Sequence, residues 1–136
     1  MMNKNNRILL CSNDLVSSEL MKLSLEKKGF QVLDIISSGQ ELITSALNIY
    51  PSIIITDIAL KGEIDGVETI SRITSITKIP YIFIADSTDQ ISLIDSYYLS
   101  PVKVLTKPVN PDEIYFFVND TIGFANTDRH SNYYLG

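Results

Sequence analysis

The sequence contains no tryptophan and has only one cysteine and one histidine in 136 residues. The cysteine, Cys11, lies within an apolar run, so a disulfide framework is excluded and a reducing compartment is expected. No apolar run approaches the roughly 18 residues that a transmembrane helix needs. Residues 1–7 lack the apolar centre of a signal peptide. The sequence therefore predicts a cytoplasmic domain with no membrane span.

Positive charge is also scarce, with 11 Lys and Arg against 16 Asp and Glu and a formal net charge of −5. Proteins that bind nucleic acids need a basic face, so we expect no direct contact with nucleic acid. The composition is nevertheless that of a folded domain, because 45% of the residues are hydrophobic and 20% are charged. The length fits one domain with a substantial core.

Short apolar runs alternate with segments of helical periodicity along the whole chain. The strand-like runs are residues 7–11, 30–36, 52–57, 81–85 and 102–106. The helix-like segments are residues 15–28, 41–50, 66–76, 89–99 and 111 to about 123. The run 52–57 is mostly β-branched, as is typical of a strand covered on both faces of a parallel sheet. The alternation predicts an α/β fold, a doubly wound sheet of five parallel strands with five helices.

Apolar residues mark one side of two of the predicted helices. Val16, Leu20 and Leu23 lie on one side of the first helix. Ile91, Ile94 and Tyr98 lie on one side of the fourth helix, which we expect to span residues 89–99.

The chemically useful side chains stand just after the predicted strands. In a doubly wound sheet these positions meet at one edge, where ligands bind. Asp57 follows the third strand and Lys107 follows the fifth. A carboxylate acts as a nucleophile, and an ammonium offsets negative charge on transferred oxygens. This pair predicts that the domain handles a phosphoryl group at Asp57.

Three motifs resemble those of two-component response-regulator receiver domains. The stretch 56–68, TDIALKGEIDGVE, resembles the phosphorylation loop of that family, and residues 79–84 resemble its fourth strand. Lys107-Pro108 resembles the family's lysine and the proline after it, which often form a cis peptide. The resemblance covers roughly residues 6–123 and implies a flavodoxin-like receiver fold, with residues 124–136 as a polar tail or linker remnant. It also implies a signalling module rather than an enzyme, phosphorylated on Asp57 by a histidine kinase or a phosphotransfer protein.

The resemblance further implies a Mg²⁺ site beside Asp57. The backbone carbonyl of Ala59 matches a ligand position of the family, and Asn13 and Asp14 are further candidate ligands. Family members place two acidic residues after the first strand, where this chain has Ser12 and Asn13. Because Mg²⁺ is usually held through carboxylates, we expect weak binding.

Two further positions depart from the family pattern. Ala85 stands where the family has a hydroxyl residue that contacts the phosphoryl group, and it lines the predicted site together with Asp86. Val104 stands where the family has an aromatic switch residue. We therefore expect phosphoryl transfer to Asp57 to be slowed and the usual switching contact to be absent.

Two functions consequently stay open at this point. The first is a phosphorylated receiver. The alternative is a pseudo-receiver that is not productively phosphorylated and acts as a protein-interaction or dimerisation module. In the family, the face formed by helix 4, strand 5 and helix 5 mediates homodimer or output-domain contacts. The aromatic residues near this face fit either a partner surface or core packing: Tyr97, Tyr98, Tyr115 and Phe116.

A flavodoxin-like cofactor enzyme is a third candidate, and the loops disfavour it. Residues 12–18 lack the glycine that a phosphate-binding loop needs. Neither a G-x-G-x-x-G nor a P-loop motif occurs in the chain.

Overall fold

The sheet of this protein contains five parallel strands in the order β2-β1-β3-β4-β5. The structure is a computed structural model that describes residues 6–123, and the predicted tail, 124–136, lies outside the described residues. The strands are β1 Arg7–Cys11, β2 Gln31–Ile36, β3 Ile53–Asp57, β4 Tyr81–Ala85 and β5 Lys103–Thr106.

The helices alternate with these strands along the chain. They are α1 Leu15–Lys27, α2 Gly39–Ile49, α3 Gly66–Thr74, α4 Ser92–Asp95 and α5 Pro111–Val118. A 3₁₀ turn, Thr88–Ile91, precedes α4, and a π-helical turn, Asn119–Gly123, extends α5. The predicted α/β architecture of five parallel strands and five helices is confirmed. None of the helices within residues 6–123 is long and apolar enough to cross a membrane.

Each helix of at least eight residues starts at a polar side chain that accepts a hydrogen bond from its first turn. The capping residues are Asp14, Ser38, Asp65 and Asn110. Such caps pair backbone N–H groups that the helix itself leaves unsatisfied. They also fix where each helix begins, directly after a loop at the carboxyl edge of the sheet.

The core lies on both sides of the sheet. Every residue of β3 and β4 is buried, and alternate side chains enter opposite layers. Ile54 and Phe83 join the layer that packs against α2 and α3, whereas Ile55 and Ile84 join the layer beneath α1 and α5. Because the strand order reverses between β1 and β3, the ends of these two strands meet at the switch point of the sheet.

The apolar side of α1 does not face the sheet. Val16, Leu20 and Leu23 do share one side of the helix, but they are 73%, 58% and 54% exposed. The buried residues are Ser18 and Leu25. Those two lie seven residues apart on the opposite side, so the sequence carries two competing stripes at the same helical period.

The fourth helix is much shorter than the sequence predicts. The expected helix over 89–99 is wrong beyond Asp95, and Tyr98 is 94% exposed with a left-handed φ of 54°. The backbone N–H of Ser100 donates to the Tyr81 hydroxyl at 2.8 Å, and the N–H of Val102 donates to the Tyr81 carbonyl at 2.8 Å. These long-range bonds direct the chain back to the sheet, so the helix ends early.

The orientation of α1 leads to a stability prediction. Leu25→Ala should lower the free energy of unfolding by about 2–5 kcal/mol, because Leu25 is fully buried and its truncation leaves a cavity. Leu23→Ala, on the exposed side, should change it by no more than about 0.5 kcal/mol. Urea unfolding of both variants measures the difference. Equal losses would contradict the orientation of the helix.

Candidate functional site

Asp57 is the last residue of the central strand β3, and it is only 5% exposed. The chain turns sharply just after it. The backbone N–H of Gly66 donates to the Ile58 carbonyl at 2.8 Å, and a Cβ at Gly66 would overlap the Asp57 carbonyl oxygen. Only glycine allows this approach of α3 to the end of β3. The Asp65-Gly66 pair therefore fixes the backbone that carries the Asp57 carboxylate.

Lys107 follows β5 and points back across β4 to Asp57. Its Nζ lies 3.4 Å from Asp57 Oδ2 and 3.0 Å from Asp86 Oδ1. The backbone N–H of Lys107 donates to the Ala85 carbonyl at 2.8 Å, and the Lys107–Pro108 peptide is cis. The structure thus brings together residues from three strand ends that the sequence placed at one edge.

Ser12 contacts Asp57 directly from the end of β1. Its hydroxyl donates to Asp57 Oδ2 at 2.7 Å and accepts from the backbone N–H of Asp14 at 3.0 Å. From the sequence, Ser12 is identified only as a departure from the family's acidic residues, so this contact was missed. The available signal was its position, since a residue directly after β1 at the switch point must neighbour the end of β3.

Asn13 and Asp14 are both engaged in local structure. Asn13 Oδ1 accepts from the backbone N–H of Lys61 at 2.8 Å, while Nδ2 donates to the Ser37 carbonyl at 2.8 Å. The Asp14 carboxylate accepts from the backbone N–H and the hydroxyl of Ser17 at 3.1 and 2.7 Å. Asn13 therefore joins two loops and Asp14 caps α1. The metal-binding roles of both residues stay predictions.

Burial and neighbouring charges act in opposite directions on the two central groups. Burial raises the pKa of Asp57, although the Ser12 hydrogen bond and the Lys107 charge oppose it. Burial lowers the pKa of Lys107, but the hydrogen bond to Asp86 and the two carboxylate charges outweigh it and leave that pKa raised. Lys107 is therefore held as an ammonium beside a carboxylate that is poorly solvated.

An open polar cavity of about 360 Å³ lies over Asp57 and Lys107. Its other walls include Asn13, Ala59 and Asp86. Oxygen atoms of carboxylates, amides and backbone carbonyls are the ligands that Mg²⁺ prefers. Within residues 6–123, however, no three His, Cys, Asp or Glu side chains cluster closely enough to hold a metal ion. The residues present fit Mg²⁺ with a single well-placed carboxylate, that of Asp57.

Ala85 and Val104 bring no polar group to this cavity. Ala85 is fully buried and packs in the core layer beneath α2 and α3, and Val104 is half-buried against the same layer. Neither side chain has a hydrogen-bond donor. Asp86, in contrast, is exposed and its carboxylate reaches Lys107.

The pKa shift of Asp57 gives a pH-dependent prediction. Folding raises the pKa of this carboxyl, so its protonated form stabilises the folded protein. That stabilisation is complete below the ordinary pKa of an aspartate and is lost as the pH rises through the pKa of the folded state. Asp57→Asn has no carboxyl to ionise at this position. Its free energy of unfolding, relative to that of the wild type, should therefore increase when the pH is raised from acidic to neutral. Urea unfolding at both pH values measures the change.

A double-mutant comparison isolates the Asp57 carboxyl as the cause. Ser12→Ala removes a hydrogen bond to the ionised carboxylate. Its free energy of unfolding should therefore fall further than that of the wild type when the pH is raised from acidic to neutral. In the Asp57→Asn background, the same change should have no pH dependence. A pH-independent difference between wild type and Asp57→Asn would contradict the raised pKa.

A family model described as "Response regulator receiver domain" matches residues 8–119. Solved structures share the fold. The signal receiver domain of a modulated diguanylate cyclase from Desulfovibrio desulfuricans G20 is 27% identical with a TM-score of 0.77, covering 90% of this chain and 97% of that chain. A CheY-like response regulator receiver domain protein from Methanospirillum hungatei JF-1 is 19% identical with a TM-score of 0.77, covering 90% of this chain and 98% of that one.

One curated relative extends the likeness to a longer protein. The probable transcriptional regulator ycf29 of Pyropia yezoensis is 28% identical over 119 residues, which is 85% of this chain and 53% of the relative. The chain thus spans about half the length of that protein. With the family model matched over most of the chain and the acid and lysine converging at the sheet edge, the chain belongs to the response regulator receiver domain family.

Proposed function

We propose that this receiver domain accepts a phosphoryl group on Asp57 from a histidine kinase or a phosphotransfer protein of a two-component system. The observation that carries the proposal is the Asp57 carboxylate, which lines an open polar cavity while Lys107 and Ser12 hold one of its oxygens. A nucleophile needs both access to the donor and a fixed orientation.

The geometry supports different tasks for the two carboxylate oxygens. Oδ2 accepts from Ser12 and contacts Lys107, so Oδ1 is the oxygen that attacks phosphorus. The new O–P bond forms as the bond from phosphorus to the donor atom breaks, and that atom keeps the electron pair. Lys107 offsets the charge on the transferred oxygens. Because Lys107 also pairs with Asp86 at 3.0 Å, Asp86 competes with the phosphoryl group for this ammonium.

Mg²⁺ bound here would supply further positive charge for the transferred oxygens. Asp57 and the Ala59 backbone carbonyl are the groups that would hold it, with Asn13 as a neutral addition. Asn13 Oδ1 already accepts from Lys61, and the carboxylate of Asp14 already caps α1. Binding should therefore be weak.

The rival function is that of a pseudo-receiver, an interaction or dimerisation module without productive phosphorylation. Ala85 offers no donor to a phosphoryl group, and Val104 has no ring that could move between two states.

Around α4, β5 and α5, three aromatic residues are exposed, namely Tyr97, Tyr98 and Phe116. These exposed residues support a homodimer or output-domain contact through the face formed by α4, β5 and α5, under either function. Tyr115, in contrast, packs on Phe30, with the two ring centroids 6.0 Å apart. Either function is regulatory rather than enzymatic and suits the cytoplasm, where the buried Cys11 stays reduced.

Labelling with a small phosphodonor tests the proposed function. Incubation with Mg²⁺ and acetyl phosphate should add the mass of one phosphoryl group to the wild-type protein. Asp57→Asn should abolish the gain, and Asp34→Asn, which changes an exposed carboxylate on the distant strand β2, should retain it. Intact-protein mass spectrometry measures all three. No gain in the wild type, under conditions that label an ordinary receiver domain, would overturn the phosphorylation proposal.

The missing hydroxyl at residue 85 gives a second test of the same chemistry. Ala85→Thr should speed labelling by roughly 100-fold, the scale of one well-placed donor in a transition state. Ala85→Val is the matched control, because valine has nearly the shape of threonine without its hydroxyl. Initial labelling rates compare the two variants. Equal rates for the threonine and valine variants would show that a donor at this position does not limit transfer.

A further inference from the structure

A second concavity, which we call the α1 cleft, adjoins the site on the other side of Asp57 and Lys107. It has a volume of about 450 Å³ and lies between α1 and the loop that leads from β5 to α5. Its floor is formed by Leu10, Ile55 and Ile84, which belong to the core layer beneath α1 and α5. A cleft of this size with an apolar floor is typical of small-molecule sites.

The α1 cleft exists because α1 presents small or flexible side chains to the sheet. Ser18 and Met21 line it, while the larger apolar stripe at residues 16, 20 and 23 is turned mostly outward. The Ser18 hydroxyl donates to the Asp14 carbonyl of its own helix at 2.7 Å, so it needs no partner from the sheet. A serine in place of a larger apolar residue leaves the sheet beneath it incompletely covered.

The polar end of the α1 cleft is acidic. Asp14, Asp57 and Lys107 are the ionisable residues that line it, and together they carry a net charge of −1 when ionised. Lys107 is already paired with Asp57 and Asp86. A protonated amine is attracted by the Asp14 and Asp57 carboxylates and repelled by the Lys107 ammonium alone, so the balance of charge at this end favours a cation over an anionic head group.

We propose that the α1 cleft binds a small apolar molecule that carries one protonated amine, with the apolar body on Leu10, Ile55 and Ile84 and the ammonium near Asp14 and Asp57. Aryl-alkylamines belong to this chemical class. Because Asp57 and Lys107 line both the α1 cleft and the polar cavity, the occupant regulates access to Asp57. This regulatory step rests on the proposed function, but the binding step does not.

Tryptamine is a suitable probe because the protein has no tryptophan, so indole fluorescence comes from the probe alone. Binding should be saturable and should shift the fluorescence to shorter wavelength. In ¹³C–¹H spectra of the wild type, the methyl groups of Leu10, Ile55 and Ile84 should shift with the same dissociation constant. Indole-3-propionate has the same ring with a negative charge, and it should bind at least tenfold more weakly. Methyl groups that stay unshifted at millimolar tryptamine, or equal binding of the anion, would overturn the proposal.

Two substitutions on α1 locate the site independently of the spectra. Ser18→Leu fills the α1 cleft while the backbone N–H of residue 18 still donates to the Asp14 carbonyl, and it should weaken tryptamine binding at least tenfold. Ser24→Leu is the control, because Ser24 lies on the same helix and does not line the cleft. Unchanged binding in Ser18→Leu would overturn the site. Should that variant not fold, as judged by circular dichroism, the wild-type methyl shifts decide.

The regulatory step is measured on the labelling reaction. A tryptamine concentration that saturates the wild type should slow its phosphorylation by acetyl phosphate at least threefold. The same concentration should not change the phosphorylation rate of the Ser18→Leu variant. An unaltered wild-type rate, with binding shown by the methyl shifts, would overturn regulation alone. Absence of labelling without any amine would instead overturn the proposed function and leave the binding result standing.

Discussion

The burial of a single carboxylate, that of Asp57, constrains the rest of this site. A carboxylate that is 5% exposed is costly unless charged or hydrogen-bonding partners replace the lost water. Those partners come from both sides of β3, namely Ser12 at the end of β1 and Lys107 after β5. They are far apart in sequence, so only the β2-β1-β3-β4-β5 order of the sheet brings them together. Gly66 completes the arrangement, because any side chain there would overlap the Asp57 backbone.

Ser12 changes the electrostatics of the site as well as its shape. An acidic residue at this position would repel the Asp57 carboxylate and would raise its pKa beyond the effect of burial alone. The Ser12 hydroxyl instead donates to Asp57 Oδ2 and favours the ionised form. A second acid would, however, also help to hold a divalent cation. The serine therefore favours the ionised Asp57 without a metal ion, and the neighbouring Asn13 Oδ1 already accepts from the backbone N–H of Lys61.

The parts of the structure that could be predicted are those that rest on local pattern or on a general rule for parallel sheets. The β-branched run of β3 and the position of Asp57 at its end follow from one short segment, and the meeting of Asp57 with Lys107 follows from the rule for parallel sheets. The parts that were missed depend on contacts between distant residues. The early end of α4 needs the bond between Ser100 and Tyr81. The orientation of α1 is decided by the packing of Leu25, because its two stripes share one period and the sequence alone does not rank them.

The polar cavity and the α1 cleft share the ion pair between Asp57 and Lys107. A ligand in one cavity can therefore affect the other through this ion pair. Asp57 and Lys107 line both the polar cavity and the α1 cleft, and Lys107 has a second carboxylate partner in Asp86, which lines the polar cavity. Since Ala85 and Val104 lack the groups for the family's usual switch, the Lys107 ammonium, which contacts both the Asp57 and the Asp86 carboxylates, is the charge best placed to respond to a change at Asp57. Lys107 pairs with Asp57 and with Asp86. A ligand shifts the balance between these two ion pairs only if it interacts more favourably with one arrangement than with the other. A cation near Asp57 weakens the Asp57–Lys107 attraction and favours Asp86, whereas a phosphoryl group on Asp57 strengthens it. The proposed amine and the proposed phosphoryl group would therefore bias one ion pair in opposite directions.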